Sequence, residues 1–239
     1  MTGGEITGPG PVEYISPESS VRPHGLATQT HGFPVQWCLP ENYEPGYAYP
    51  LIVYFHDDDG NERDLMSWWP CLGRQNFLGM ALRAPLAAAV PLPGRYRWSA
   101  RRRPLYQSLS ATISELHKDW NIHPERITLM GEGAGALLAM KIWLRYSRSF
   151  SGAVALHPPR DWADRLHQGA PQSPAKEQLG GRLCLITESP PDAGELAILG
   201  ELQAAHASIQ RTCLPPGNRM LIGRFINRWL LSAIDTAVF

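Results

Sequence analysis

The stretch at residues 127–140, ITLMGEGAGALLAM, decides the fold. Four mostly apolar residues lead into three alternating glycines, Gly131, Gly133 and Gly135, and an Ala/Leu-rich helical pattern follows. This order predicts a strand, a tight turn and a helix. Nucleotide-binding proteins use such a unit to hold a phosphate at the helix N-terminus. Other enzymes use it to present a nucleophile on a strained elbow.

The nucleotide interpretation fits the glycines but not their surroundings. Gly131, Gly133 and Ala136 satisfy the spacing of the dinucleotide fingerprint. That fingerprint belongs to the first strand–helix unit of a domain, whereas several predicted strands come before this one. The acidic residue expected about 20 positions later is missing. Glu132 would also place a carboxylate where the pyrophosphate must approach. The sequence therefore argues against a nucleotide site.

The rest of the chain alternates apolar strand-like runs with helical patterns, which predicts an α/β protein with a mainly parallel sheet and helices on both faces. Function in such sheets lies at the carboxyl ends of the strands. The predicted strands are residues 33–40, 51–56, 77–85, 127–130, 150–157, 183–187 and 209–214. The predicted helices are residues 105–120, 134–146, 195–207 and an amphipathic closing helix from about residue 219.

The domain organisation follows from composition. Residues 1–27 are rich in Gly, Pro and Ser and predict a loosely packed N-terminal arm. Residues 28–239 predict one domain, interrupted by a polar, Pro-rich loop insertion at residues 158–181. A chain of 239 residues is long enough to build one such core.

Composition also limits the partners. Lys plus Arg and Asp plus Glu number 22 each, so no global basic field favours nucleic acid. No apolar run reaches the roughly 18 residues of a membrane span, and the N-terminus lacks a signal-peptide pattern. The four cysteines show no paired metal-ligand spacing, which predicts reduced, buried thiols in a cytoplasmic protein. Neither a metal nor a cofactor is predicted.

A family resemblance covers residues 33–235. Segments 38–60, 121–140, 150–158 and 214–230 fall in the order and spacing of an α/β-hydrolase. The chain resembles serine esterases of the phospholipase/carboxylesterase and polyhydroxybutyrate-depolymerase-like groups. The resemblance implies the α/β-hydrolase fold, a serine nucleophile on the elbow, a histidine base, an acid and an oxyanion hole.

The residues at the implied catalytic positions do not carry that chemistry. The serine position of the elbow is Gly133, which has no side chain to form an acyl intermediate. The histidine position matches Asn218, whose amide does not titrate near neutrality. The acid position is open between Asp192 and Glu188, and either could equally be an exposed loop carboxylate.

The implied oxyanion loop reads HDDDG, with His56, Asp57 and Asp58 as its relic. Esterases of this kind place glycines after the histidine, and their amides face the developing negative charge. Carboxylates beside that charge would repel it, at a cost of a few kcal/mol if desolvated. Three consecutive aspartates could instead bind Mg²⁺ or Ca²⁺, but solvated loop charge with some capping is favoured. His56 ends a buried strand and predicts a hydrogen-bonded structural histidine.

Two further stretches are candidates for binding. Residues 94–104, GRYRWSARRRP, form either a solvated loop or a docking patch for an acidic protein surface, a phosphate or RNA, because arginine and aromatic side chains favour interfaces. The candidate patch consists of Arg95, Tyr96, Arg97, Trp98, Arg101, Arg102 and Arg103. Residues 67–70, SWWP, either floor a ligand cleft or pack beneath it.

The sequence therefore favours a catalytically inactive α/β-hydrolase-like protein that binds a protein partner or a small ligand in the relic cleft. The alternative is an active serine esterase or hydrolase of the carboxylesterase type with a relocated nucleophile, or a different lyase or hydrolase chemistry on the same scaffold. Ser99 and Ser189 are the nearest substitutes, and neither has a histidine placed by sequence to activate it.

Overall fold

The structure, a computed structural model, describes residues 28–30, 33–88, 93–98, 103–167 and 181–235. The predicted N-terminal arm, residues 1–27, lies outside the described residues, as do residues 168–180 of the predicted insertion. Strands and helices are numbered below in chain order.

An eight-stranded sheet forms the centre of the described part. Its strands are β1 (Thr28–Thr30), β2 (Phe33–Cys38), β3 (Tyr49–Phe55), β4 (Leu78–Leu82), β7 (Ile122–Glu132), β8 (Gly152–Leu156), β9 (Arg182–Thr187) and β10 (Ser208–Cys213). A separate antiparallel pair consists of β5 (Leu86–Ala87) and β6 (Tyr96–Arg97).

The spatial order of the strands in the large sheet is β1-β2-β4-β3-β7-β8-β9-β10. Neighbouring strands run parallel from β4 through β10, while β1 pairs with β2, and β2 with β4, in antiparallel fashion. The predicted mainly parallel sheet is thus confirmed.

Helices cover both faces of the sheet, as predicted. One face packs against α1 (Leu65–Leu72) and α6 (Arg219–Asp235). The other packs against α2 (Arg103–Asp119), α3 (Ala134–Arg145), α4 (Trp162–His167) and α5 (Ala193–Ala204). In α2 the apolar residues at helical spacing, Leu105, Leu109, Ile113 and Leu116, are all buried, because this stripe faces the sheet.

Two short helices were not predicted. α1 contains the SWWP segment, and both Trp68 and Trp69 are buried there in the core. α4 lies within the stretch predicted as a loop insertion, and its Trp162 is buried and donates a hydrogen bond to Glu195 Oε1 at 2.7 Å. Helices of eight and six residues span too few turns to show a periodic pattern.

The cysteines are free but do not all share one environment. Cys38 and Cys184 are buried, and burial raises the pKa of each thiol to about 12. Cys213 is exposed, because β10 is an edge strand of the sheet, and Cys71 is half-buried. The prediction of buried thiols is therefore wrong for Cys213.

The described residues include no helix with the length and apolar character needed to cross a bilayer.

Candidate functional site

The glycine-rich stretch forms the predicted elbow between β7 and α3. Gly133 connects the two elements with φ 55° and ψ −119°, a conformation that favours glycine. A Cβ at Gly131 would collide with the backbone of Gly135, and a Cβ at Gly135 would collide with the Phe55 carbonyl. The outer glycines therefore let the helix pack closely on the strands, as the sequence predicted.

A carboxylate occupies the space beside the elbow where a side chain at position 133 would lie. A Cβ built on Gly133 would collide with all three atoms of the Asp57 carboxylate. Asp57 Oδ1 accepts hydrogen bonds from the Ala134 amide at 2.7 Å and from the Asp58 amide at 2.8 Å. The position expected to hold a nucleophile is thus filled by a side chain from the loop after β3.

The two amides around Asp57 Oδ1 are of the kind that form an oxyanion hole. In α/β-hydrolases the donors are the amide of the residue after the nucleophile and an amide from the loop after an earlier strand. Ala134 follows the elbow position, and Asp58 lies in the loop after β3. Both donors converge on one oxygen, and that oxygen belongs to the protein itself.

The environment of Asp57 opposes its charge. Asp57 is exposed as a residue, but the elbow removes water from part of its carboxyl group, and this partial desolvation raises the carboxyl pKa. The two amide hydrogen bonds act in the opposite direction, and the negative charges of Asp58 and Glu132 add to the increase. Asp57, Asp58 and Asp59 are all exposed, and Asp57 Oδ1 accepts the amide of Ala134, the first residue of α3, so the expectation of solvated loop charge with some capping holds for these aspartates. What the sequence did not predict is that the Asp57 carboxylate also lies against Gly133 of the elbow.

Glu132, beside the elbow, is held by two donors from neighbouring elements. Tyr54 Oη donates to Glu132 Oε2 at 3.0 Å, and Trp68 Nε1 donates to the same oxygen at 3.1 Å. Burial, followed by the charge of Glu132, raises the pKa of the Tyr54 phenol. The guanidinium of Arg219 lies 5.3 Å from the centre of the Trp68 ring. Trp68 therefore packs beneath the elbow and fixes a carboxylate there.

His56 is a structural histidine, as predicted. It is fully buried, and its Nε2 accepts a hydrogen bond from the Ala84 amide at 3.0 Å. The proton must then reside on Nδ1, which lies 2.6 Å from the Asp57 carbonyl and donates to it. Burial lowers the pKa of the imidazole. One ring nitrogen thus holds the backbone of the HDDDG loop at Asp57, and the other holds the backbone after β4 at Ala84.

The residues at the predicted base and acid positions act as helix caps. Asn218 is exposed, and its Oδ1 accepts from the Leu221 amide at 3.1 Å at the start of α6. Asp192 Oδ1 accepts from the Glu195 amide at 2.8 Å and caps α5. Glu188 follows β9 and is exposed. These contacts are typical of N-cap residues and involve no histidine.

His157 is a residue to which sequence reasoning gave no role. It follows β8 at the carboxyl edge of the sheet, next to Leu156, whose carbonyl accepts the Gly133 amide at 2.9 Å. Within the described residues, neither buried ring nitrogen has a hydrogen-bond partner. Burial lowers the pKa of the ring, while Glu188 and Glu132 raise it less. Its only signal in the sequence is its place directly after a buried strand.

The Arg/aromatic stretch lies over the HDDDG loop. Arg95 donates to the Asp59 carbonyl at 2.8 Å, and the Trp98 amide donates to Asp58 Oδ1 at 3.0 Å. Trp98 Nε1 donates to the His56 carbonyl at 2.7 Å, and its ring lies 5.0 Å from the imidazole. Trp98 is thus engaged within the protein, whereas Arg97 is exposed.

The predicted patch also includes Arg101, Arg102 and Arg103. Arg101 and Arg102 lie outside the described residues, and Arg103 is the first residue of α2. In the part of the chain that the structure describes, no group of three or more His, Cys, Asp or Glu side chains is placed to hold a metal ion.

Comparison with known proteins finds likeness in structure alone. No protein-family model matches the chain, and no curated protein sequence matches it. A carboxylesterase from Mesorhizobium loti aligns with TM-score 0.63 and 17% identity, over 88% of this chain and 99% of its own. The Bacillus cereus carboxylesterase aligns with TM-score 0.57 and 17% identity, over 84% and 94% of the two chains.

A third similar structure belongs to a longer protein. A protein assigned as a dipeptidyl aminopeptidase IV from Bacteroides ovatus aligns with TM-score 0.60 and 17% identity, over 86% of this chain. This chain spans only 35% of that protein's length. Together with the sheet order and the elbow, these likenesses establish the α/β-hydrolase fold for the chain.

Proposed function

We propose that this α/β-hydrolase-fold protein is catalytically inactive as an esterase and acts by binding a protein partner or a small ligand. The observation that carries the proposal is the position of the Asp57 carboxylate in the elbow. One oxygen of this side chain receives both backbone amides that would otherwise face a reacting oxyanion.

Ester hydrolysis at this elbow would require the Asp57 carboxylate to leave. The carbonyl oxygen of an ester becomes negative in the transition state and needs donors about 2.7–3.1 Å away. Here the two amides are already bound to an anion at that range. A second anion close to Asp57 would be repelled, and losing even one such donor costs about 3 kcal/mol of transition-state stabilisation.

The remaining catalytic positions support the same proposal. Gly133 offers no nucleophilic atom, and the Asn218 amide caps a helix and cannot take up a proton. Three positions distant in sequence thus lack the groups that acyl transfer needs. The fold therefore supplies a scaffold, and fold alone does not determine activity.

The test is turnover of p-nitrophenyl acetate by the purified protein, with the Mesorhizobium loti carboxylesterase as positive control and a Gly133→Ala variant as matched control. We expect rates at the buffer background for both versions of this chain, and no covalent labelling by a fluorophosphonate probe. Saturable turnover that co-purifies with the protein, or a labelled serine, would reject the proposal.

A partner would be sought on the surface formed by Arg95 and Arg97, the exposed arginines of the described part of the patch. Replacing both by Gln removes the positive charge but leaves the Trp98 contacts with the loop intact. If a captured partner binds through this surface, it should bind the variant at least about tenfold more weakly. Unchanged binding would exclude this patch.

The second candidate function is an active hydrolase with a relocated nucleophile, which His157 favours. Its two ring nitrogens have no partner in the described residues, and its lowered pKa keeps the ring neutral near pH 7. A neutral imidazole at the carboxyl edge of the sheet is able to accept a proton. The discriminating variant is His157→Asn, because asparagine tolerates the φ of 42° at this position. Any true turnover by this route should fall at least about a hundredfold in that variant.

A further inference from the structure

The outer side of α6 combines exposed apolar side chains with exposed arginines. Met220 and Leu221, in the first turn, are 49% and 47% exposed. Arg224 and Arg228 follow in the next two turns and are exposed as well. Because an α-helix turns by about 100° per residue, these four side chains lie within one sector of about 100°. The opposite side of the helix packs on the sheet.

The arginines of this surface have no partner within the described part of the protein. Neither Arg224 nor Arg228 forms a hydrogen bond or an ion pair with any described residue. The acidic residue of α6, Asp235, is its last residue, and α1, which packs beside α6, has no charged side chain. The whole chain carries equal numbers of acidic and basic residues. Positive charge is therefore concentrated on this side of α6.

The apolar end of the surface projects from the protein. Residues 215–221, which connect β10 to α6 and form its first residues, are all exposed. Met220 and Leu221 thus lie at a protruding tip. With a helical rise of about 1.5 Å per residue, Arg224 and Arg228 lie about 6 and 12 Å further along the axis than Met220. The surface therefore presents an apolar tip followed by two cations.

We propose that this surface of α6 binds an anionic lipid bilayer, with Met220 and Leu221 below the head groups and Arg224 and Arg228 on the head groups. Apolar side chains at a bilayer interface lie about 5–10 Å deep. An arginine about 6 Å behind the tip is then level with the negative charges of the lipids. A protruding tip fits a fluid interface, whereas a protein partner would need a groove of matching shape.

This contact goes beyond the proposed function and requires no membrane-spanning helix. It includes neither the elbow nor the surface formed by Arg95 and Arg97. The esterase assay and the experiment below therefore fail independently.

The test is flotation of the full chain with phosphatidylcholine vesicles, compared with vesicles that contain about one third phosphatidylserine. We expect tighter binding to the anionic vesicles, and this preference should shrink at about 0.5 M salt because the charges are screened. Each arginine near an anionic surface strengthens binding about fivefold. Arg224→Gln/Arg228→Gln should thus bind about 25-fold more weakly. Arg160→Gln/Arg165→Gln, the same change at exposed arginines beside and on α4, should weaken binding less than about threefold.

Insertion of the tip is measured with a second pair of variants. Leu221→Ser should weaken binding at least about threefold, because about half of this side chain is still available for burial. Leu196→Ser, at a leucine of α5 that is 56% exposed, should leave binding unchanged.

Three outcomes would overturn the proposal. The first is equal binding to the two kinds of vesicle, or no binding to either. The second is an equal loss of binding in the two double arginine variants, or full binding by Leu221→Ser. The third is binding to polyglutamate but not to anionic vesicles, which would assign this surface to an acidic protein.

Discussion

Gly133→Ala should destabilise this protein, and most of the cost should depend on Asp57. The added Cβ would collide with the Asp57 carboxylate, which is held in place by the amides of Ala134 and Asp58. Overpacking of this kind costs about 1–3 kcal/mol. Placing an L-residue at φ 55° and ψ −119°, outside the left-handed helical region, adds about 1–3 kcal/mol. We therefore expect Gly133→Ala to lower the free energy of unfolding by about 2–6 kcal/mol.

Asp57→Ala removes the atoms with which the new Cβ collides. In that background the cost of Gly133→Ala should fall to the backbone contribution, about 1–3 kcal/mol. The interaction energy of the double-mutant cycle is then about 1–3 kcal/mol, within the range for residues in direct contact. The single variant Asp57→Ala should itself cost about 1 kcal/mol, because two amides lose their acceptor but can reach water.

The assay is urea unfolding followed by fluorescence of the tryptophans, with Gly133→Ala measured in the wild-type, Asp57→Ala and Asp58→Ala backgrounds. Asp58 is the matched control, because its carboxylate accepts from the Trp98 amide and does not lie at the elbow. Its coupling to Gly133→Ala should stay below about 0.5 kcal/mol. If Gly133→Ala costs the same in the Asp57→Ala background as in the wild type, the carboxylate does not occupy the elbow and the argument fails.

Three further predictions use the same unfolding assay. Because the pKa of the Asp57 carboxyl is raised in the folded protein, the unfolded chain loses the carboxyl proton at lower pH, and the free energy of unfolding falls as pH rises from about 3.9 through the folded pKa. Asp57→Asn keeps an acceptor oxygen and should flatten this fall, and an unchanged pH dependence of the free energy of unfolding between pH 4 and 7 would contradict the raised pKa. Because the pKa of the His157 ring is lowered in the folded protein, the unfolded chain takes up a proton at higher pH, and the free energy of unfolding falls as pH drops below about 6.5. His157→Asn should reduce this loss of stability, with the remainder caused by His56. The same loss of stability in acid for the wild type and the variant would refute this prediction. Gly135→Ala should lower the free energy of unfolding by about 3 kcal/mol or prevent folding, because its Cβ would collide with backbone carbonyls. Gly200→Ala, in α5 with open space around it, should raise the free energy of unfolding by about 0.5–1 kcal/mol. Similar effects of the two substitutions would show that the elbow is loosely packed.

The elbow and the sheet could be predicted from the sequence because their signals are local. The glycines at 131 and 135 are required by backbone contacts within a few residues or with one neighbouring strand, and they leave a readable spacing. Buried parallel strands such as β3 and β8 are continuous apolar runs. The short helices α1 and α4 leave no such pattern, and α1 even contains Pro70.

The content of the candidate site could not be predicted in the same way. Asp57 binds the Ala134 amide across 77 positions of sequence, and three identical side chains follow one another in its loop. Which of the three aspartates faces the elbow depends on the backbone conformation of the loop after β3. Long-range hydrogen bonds fix this conformation, since the His56 ring accepts from the Ala84 amide and the His56 carbonyl accepts from the Trp98 indole. His157 likewise follows an ordinary buried strand, and only the fold places it beside the elbow strand.

The Asp57 carboxylate also resembles the product of the reaction that this fold performs in other proteins. Hydrolysis of an ester leaves a carboxylic acid, and here a carboxylate is permanently attached in the place where such an acid would leave the site. Because it is tethered by the chain, its effective concentration at the two amides lies in the millimolar range or above and never falls by dilution. Any ligand that binds the Ala134 and Asp58 amides must compete with the Asp57 carboxylate. The affinity of such a ligand for the elbow is therefore reduced by the free energy needed to displace Asp57.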